Sequence, residues 1–573
     1  MKISGGQTSI GGAISHVFLI LMVGGGIGVL VSLVATLFVN GVRWVGQLRH
    51  DTSNLPQLAL FDDMSIGPLL WLVFAAFVLA GLHRLFHVTR WHGPADSIYS
   101  AHRTDNQLDV KQGFASTIAA FVSLAGGAPV GQYGPLVHFG ATIGSYLQRL
   151  GDSRAIGADV FIGCGVAAAI AAGFHAPIAG IIFAHEAVLR HFSFRAMTPI
   201  AIASITSEWF ATSIFGGAPI FMIEAETPDL LPMVAPLLLS GLVFGAVALL
   251  FMKALLYTGK FAVNSGLKPL TLMLIAAVVI GSVAMFVPAV LGAGTFEINA
   301  IINDQYGIGF LVLIFALKLV LTALSIGFGL FGGVFSPAVF VGAAAGGVVS
   351  KGLGLFGLMT VPHLFPVVGF AAVTAAVVGA PISVVIVVLE LTQSYGFAVA
   401  AMLAAVVSTL LTSLVFGHSL FDAQLVGRGI DLSQGRGNLE LMARGIAPMV
   451  SSSFVRVTPD MTAKQTVEKL VKAGAGEGYC IDADDVFCGK VSLQALLLVA
   501  DTTRLNDCLD QDPLSINHDA SVLQAIEVAS EFIGETIPVV DHKQQRLVGV
   551  VSEADIFAAY LATQNSVRDL EHG

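Results

Sequence analysis

The chain has 573 residues, a formal net charge of −10, only 12% charged residues and a mean hydropathy of +0.82. Such an apolar, charge-poor composition excludes a soluble protein of this length, and a single soluble core does not grow to this size. The four cysteines, Cys164, Cys480, Cys488 and Cys508, fall in no paired metal-ligand spacing and read as reduced, structural thiols.

Taken in chain order, apolar stretches of bilayer-spanning length occupy 14–40, 66–87, 109–127, 155–172, 233–256, 268–290, 309–326 and 363–389. They predict a polytopic helical membrane protein. The first, "AISHVFLILMVGGGIGVLVSLVATLFV", is too long for a signal-peptide core and reads as a retained helix. The early loops are mildly basic (Arg43, Arg49, Arg84, Arg90), which does not by itself set an orientation. Residues 447–573 hold 9 Lys and Arg against 19 Asp and Glu, so the net charge of the chain resides there and residues 1–446 are neutral. We therefore expect a membrane domain over 1–430, a linker over 431–446 and an acidic soluble domain over 447–573.

The membrane domain repeats itself. In "GQYGPLVHFGATIG" and "GVFSPAVFVGAAAG", Gly131, Pro135, Gly140, Ala141 and Gly144 correspond to Gly333, Pro337, Gly342, Ala343 and Gly346 at one offset of 202. In "APIAGIIFAHE" and "APISVVIVVLE", Ala176, Pro177, Ile178 and Glu186 correspond to Ala380, Pro381, Ile382 and Glu390 at an offset of 204. The halves run over about 14–215 and 231–430. Each Gly…Pro motif precedes an apolar helical run, and proline is tolerated in a first helical turn, whose N–H groups lack partners anyway. The motif thus predicts a helix start inside the membrane, where free N–H groups and the positive end of the helix dipole favour an anion. The plainer alternative, glycine for close helix packing, fits an isolated motif better than two symmetric copies.

These motifs resemble the CLC family of chloride channels and proton-coupled chloride antiporters. "GGVFSP" resembles the family's G-x-F-x-P signature, "GQYGP" stands where the family has G-[KR]-E-G-P, and "AAGFHAPIAGIIFAHE" resembles the next signature segment. The resemblance implies an all-α polytopic membrane domain of two inverted repeats, and a homodimer with one pore per subunit. It also implies an anion held by backbone N–H groups at several helix N-termini. The pore residues it points to are Gly131, Gln132, Tyr133, Gly134, Gly333, Val334 and Phe335.

The chain departs from the family pattern at four places. Tyr133 occupies the gate position, where the antiporters carry a glutamate that is both outer gate and proton carrier. A glutamate titrates around pH 4.3 and a tyrosine only around pH 10, so the tyrosine cannot alternate between anion and neutral acid under ordinary conditions. The inner pattern F-A-x-E-E reads "FAHEA": Glu186 remains and the second glutamate is Ala187. Glu186 is expected to be a buried structural carboxylate like its repeat partner Glu390, and His185 a hydrogen-bonded structural histidine rather than a relay. The tyrosine that opens the family's last membrane helix is matched by Phe421, which offers no hydroxyl. The family's "GSGIP" loop is matched by "WHGPADSI", which puts His92 at the serine, with its ring N–H or the local backbone as substitute donor.

The tail resembles a pair of CBS domains, an α/β fold. Residues 511–561 read as strand, helix, strand, strand, helix, and a weaker copy covers about 450–500, with "CGKVSLQALL" opposite "VGVVSEADIF". The resemblance implies that Ser552 and Asp555 hold an adenosine ribose, although the same pair fits a helix N-cap. The first copy has Ser492 but Ala495, so one good site is expected. No cofactor is expected to be required and no metal site stands out. The implied partners are chloride or a similar anion, a second copy of the chain, the bilayer and an adenine nucleotide (ATP, ADP or AMP), with no nucleic acid. The expected setting is a bacterial inner membrane, CBS domains cytoplasmic. Three functions compete: a passive anion channel, a chloride/proton antiporter using His185, Glu186 or water, and a membrane-anchored nucleotide sensor with a vestigial pore.

Overall fold

A computed structural model describes residues 10–51, 66–103, 105–150, 156–216, 230–357, 363–417, 419–432, 435–541 and 544–572. Tertiary contacts divide the chain into two units, Met1–Asp431 and Leu432–Gly573.

The first half of the membrane unit runs α1 (Ile10–Asp51), α2 (Gly67–Phe86), α3 (Pro94–His102), α4 (Val110–Gly126), α5 (Tyr133–Leu150), α6 (Ala158–Phe174), α7 (Pro177–Phe183) and α8 (Phe194–Phe215). A π-helical turn, Ala184–Leu189, continues α7. The second half runs α9 (Val234–Asn264), α10 (Pro269–Ala284), α11 (Thr295–Ile302), α12 (Ile308–Gly327), α13 (Phe335–Leu355), α14 (Leu364–Val378), α15 (Pro381–Thr392), α16 (Tyr395–Phe416) and α17 (Leu420–Val426). Among the described residues, six helical segments are long and apolar enough to cross a bilayer.

The repeat seen in sequence is a repeat of packing. The pairs α5–α6, α6–α8 and α1–α8 of the first half recur as α13–α14, α14–α16 and α9–α16 in the second. Glycine sets the closest approach in both halves. A Cβ on Gly140 would lie 2.1 Å from the Gly165 carbonyl oxygen, and one on Gly165 would lie 1.9 Å from that of Gly140. The equivalent distances at Gly342 and Gly369 are 2.4 and 2.3 Å. Small residues let backbones touch where lipid offers no hydrophobic drive for association. The packing role given as the plainer alternative therefore holds for Gly140 and Gly342, at the inner part of each motif.

The stretch 363–389 is not one helix. It breaks after α14 at Gly379, whose φ is +77°, and at Ala380, extended at φ −134° before Pro381. A residue before proline is driven out of the helical region, so the chain restarts as α15. The first half breaks at the same place, with His175 at φ +54° and Ala176 at φ −134° before Pro177.

The second unit holds two copies of one α/β motif. In the first, β1 (Arg456–Val457), α19 (Ala463–Ala473), β2 (Glu477–Ile481), β3 (Phe487–Ser492) and α20 (Leu493–Leu497) follow a leading helix α18 (Gly435–Ala443). The second comprises β4 (Ile516–Asn517), α21 (Val522–Ala529), β5 (Ile537–Asp541), β6 (Arg546–Val551) and α22 (Glu553–His572). In each sheet the first strand pairs parallel with the second and the second antiparallel with the third. The register shifts at matching places, Cys480/Ile481 and Val539/Val540. Capping boxes at Thr462–Gln465 and Ser521–Gln524 start the corresponding helices. The segment read as a linker contains α18, whose Leu441 is fully buried against Val522 and Ala559, so it is built into this unit. The four cysteines are free thiols. Burial pushes the Cys480 thiol up to about 12 and raises that of Cys488. Both stay protonated at neutral pH, as structural thiols do.

Gly140→Ala is expected to destabilise the membrane unit by about 1–3 kcal/mol or more through overpacking. Gly26→Ala, with nothing within 4 Å of an added Cβ, should be neutral or slightly stabilising. Thermal unfolding of the two variants in detergent checks this, and equal melting temperatures would contradict the packing described.

Candidate anion site at the helix starts

The two motif copies meet. The Gly131 N–H donates to the Gly333 carbonyl at 2.6 Å, and the Gly333 N–H donates to the Gly131 carbonyl at 2.6 Å. The contact is antiparallel, as expected when the two halves enter from opposite directions. There is room only for glycine: a Cβ on Gly131 would lie 2.8 Å from the Gly333 oxygen, and one on Gly333 would lie 2.8 Å from the Gly134 nitrogen. This corrects one expectation. The amides of Gly131 and Gly333 satisfy each other and are not free for an anion. Among the described hydrogen bonds none engages the N–H groups of Gln132, Tyr133, Gly134, Val334 or Phe335, which sit at the starts of α5 and α13, where no intrahelical acceptor exists.

A third helix start joins them. A Cβ on Gly134 would lie 3.4 Å from Pro94 Cγ, so α3 begins against the same point. His92 precedes it, but its backbone N–H donates to Ser116 Oγ at 2.8 Å, and the Gly93 N–H donates to Asp96 Oδ2 at 2.9 Å. The amides of His92 and Gly93 are thus engaged within the protein, and the ring of His92 lies 5.9 Å from that of His138, edge to face with it. His138 in turn hydrogen-bonds Ser97 Oγ through Nδ1 at 2.8 Å. Phe421 is buried on α17, which packs against α3 and α14. Asp96 ties these elements together: it pairs with Arg90 at 2.5 Å and with Arg428, beyond the end of α17, at 2.9 Å. Asp422 of α17 is paired with Arg190.

Tyr133 begins α5, and its ring stacks on Phe174 with centroids 3.7 Å apart. Phe335, at the start of α13, lies 5.8 Å from Tyr133 and 4.9 Å from Phe174. Tyr133 and Gln132 also line a cavity of about 1120 Å³ that holds Arg43, Arg49, His175 and Glu297. The two guanidinium groups outnumber the single carboxylate of Glu297 in this lining. Beside it the fully buried Lys318 donates to the carbonyls of Val290 and Gly292 at 2.9 and 2.7 Å and lies over the Phe340 ring. An intramembrane charge needs such partners.

The carboxylates of the repeat are caps. Glu186 accepts from Ile382 N at 3.0 Å, Ser383 N at 2.7 Å and Ser383 Oγ at 2.6 Å, closing the start of α15. Glu390 accepts from Ile178 N and Ala179 N at 2.9 and 2.8 Å, closing the start of α7. His185 is buried and bonded through Nδ1 to the His191 carbonyl at 2.9 Å. Ala187 is buried beside it.

Sequence reasoning missed Phe174. Its repeat partner at the same offset is Val378, so an aromatic before the Ala-Pro break in one half only was the available signal. In the tail, Ser552 caps α22: Asp555 N donates to its Oγ at 3.2 Å, and the hydroxyl donates to the Asp555 carboxylate at 2.6 Å. Asp555 also faces an open cavity of about 630 Å³ with Arg444 and Ser451. Ser492 caps α20 in the same way, accepting from Ala495 N.

The family model "Voltage gated chloride channel" matches residues 74–413, and the "CBS domain" model matches residues 505–562. A putative chloride channel protein ClcB-like of Ralstonia nicotianae is 29% identical over 369 residues, covering 62% of this chain and 84% of the relative. A voltage-gated ClC-type chloride channel ClcB of Citrobacter koseri is 26% identical, covering 69% and 97%. Among solved structures, a slow cyanobacterial Cl−/H+ antiporter aligns with a TM-score of 0.62 at 19% identity, covering 71% of this chain and 97% of the other. A eukaryotic CLC transporter aligns at 0.61 and 18% identity, covering 95% and 98%, the tail included. At these identities the structures speak for the fold alone.

Glu186→Gln should lower the melting temperature of the purified protein, because it weakens the acceptor of three hydrogen bonds, while anion flux keeps the same response to a pH gradient. Unchanged stability with altered proton movement would instead mark Glu186 as a relay.

Proposed function

Since the chain belongs to the voltage-gated chloride channel family, we propose that it mediates passive, proton-uncoupled permeation of chloride or a similar small anion. The observation that carries this reading is Tyr133. A ring that ordinarily stays neutral, stacked on Phe174, stands where proton coupling in the antiporters needs a carboxylate. The position of the inner proton carboxylate is Ala187, and both oxygens of Glu186 are engaged in capping α15. Free amides at the starts of α5 and α13, which the Gly131–Gly333 contact brings side by side, supply the anion's ligands in this reading. In this reading the protein works as a homodimer in a bacterial inner membrane, with the tail cytoplasmic.

Purified full-length protein in liposomes should dissipate a chloride gradient at a rate indifferent to a proton gradient. Proton movement uphill under a chloride gradient alone would overturn the passive reading and favour an antiporter. Tyr133→Ala should raise the flux without creating coupling. Tyr133→Glu should make flux rise as pH falls, because the ionised carboxylate competes for the anion site and its protonation releases it.

We further infer that the tail binds an adenine nucleotide beside Asp555, with Arg444 of the same cavity available to a phosphate. ATP, ADP or AMP should raise the unfolding temperature of the full-length protein's tail, and Asp555→Ala should abolish the shift. No shift with any of the three nucleotides would remove this role.

A further inference from the structure

The rings of Tyr133, Phe174 and Phe335 come from three different helix ends, the start of α5, the end of α6 and the start of α13. All three are at most 5% exposed. Each touches the other two: Tyr133 and Phe174 are stacked with 26° between planes, while Phe335 stands at 76° to Tyr133 and 54° to Phe174. Gly173 lets the stack form, since a Cβ there would lie 3.0 and 3.1 Å from two ring carbons of Tyr133. Tyr133 and Gly173 line the large cavity on one side. Phe335, whose own amide lies at the start of α13, touches the Tyr133 ring directly. The route from the cavity to the start of α13 therefore runs past these rings.

We propose that this trio is an apolar constriction that sets anion preference, favouring weakly hydrated anions such as thiocyanate and nitrate over chloride and rejecting fluoride. The proposal rests on the reading of the chain as an anion pathway and names the class of anion that the pathway takes. The physical reason is the balance between the water an ion sheds and the attraction it finds in return. Removing water from an ion is costlier the more concentrated its charge. Carbon-bound ring edges carry a weak positive potential and attract anions feebly. The few amides at the helix starts cannot repay the small, strongly hydrated ions at the point where rings replace water. Diffuse ions lose less on entry and gain as much from polarisable edges. Selectivity in such a passage follows dehydration rather than a fitted cage of donors. Phe174 is the residue that creates the constriction. It holds the Tyr133 ring across the path by stacking and has no counterpart in the second half, where Val378 stands at its position.

The test is a set of flux measurements on full-length protein in liposomes, each with a gradient of one anion: fluoride, chloride, nitrate or thiocyanate. Wild type should pass nitrate and thiocyanate about threefold or more faster than chloride, and fluoride about tenfold or more slower. Phe174→Ser should bring the nitrate-to-chloride ratio towards one, and Phe174→Tyr, which keeps a ring in place, should preserve the wild-type order. Chloride equal to or faster than nitrate and thiocyanate in wild type overturns the proposal, as does an unchanged ratio in Phe174→Ser. If Phe174→Ser does not fold, the wild-type order decides. Absence of any anion flux overturns the anion-pathway reading and this proposal together. Uphill proton movement with the anion order intact overturns only the passive reading.

Discussion

The centre of the membrane unit hangs on one reciprocal pair of backbone hydrogen bonds, Gly131 to Gly333 and Gly333 to Gly131. Backbone at membrane depth is costly unless every polar group finds a partner within the protein. Each motif would be a liability alone. Joined, each supplies the acceptor that the other lacks, and the next amides in both chain segments are left without one. The bond demands glycine on both sides, because a Cβ on either residue would collide with backbone of the opposite motif. It also places Tyr133 and Phe335 on adjacent helix starts, which is why their rings meet.

The same logic of exchange recurs further along the chain. Each half breaks a helix at a left-handed residue followed by Ala-Pro, and each break exposes amides that its own half leaves uncapped. Glu186 closes the break of the second half and Glu390 that of the first. A carboxylate at a helix N-terminus is favoured by both hydrogen bonding and the helix dipole. These two glutamates thus have matching structural tasks, which accounts for their recurrence in both repeats.

Much of this was legible in the sequence, for an identifiable reason. Glycine and proline report backbone demands that are local, so the helix starts at 133 and 335 and the two-copy architecture of the tail could be read from spacing. Equivalence between repeats did not disclose contact between them, so the mutual capture of Gly131 and Gly333 was missed, and their amides were counted as free. The break within 363–389 was hidden because Gly379 and Pro381 sit inside an otherwise unbroken apolar run. That the His92 backbone N–H is already taken could not be foreseen, because its acceptor Ser116 lies 24 residues away. Phe174 looked like one more apolar residue in an alanine-rich helix. Its meaning appears only when three helix ends are brought together.

The crossed caps also bear on how the chain is made. Ribosomes deliver this protein from its N-terminus, and the amide of Ala179 receives its acceptor from a residue 211 positions later. Until Glu390 has been synthesised and inserted, the first half sits in the bilayer with the opening turn of α7 unfinished and the Gly131 carbonyl unmet. Each half thus closes the helix starts of the other, and neither set of caps is complete before both halves are in place.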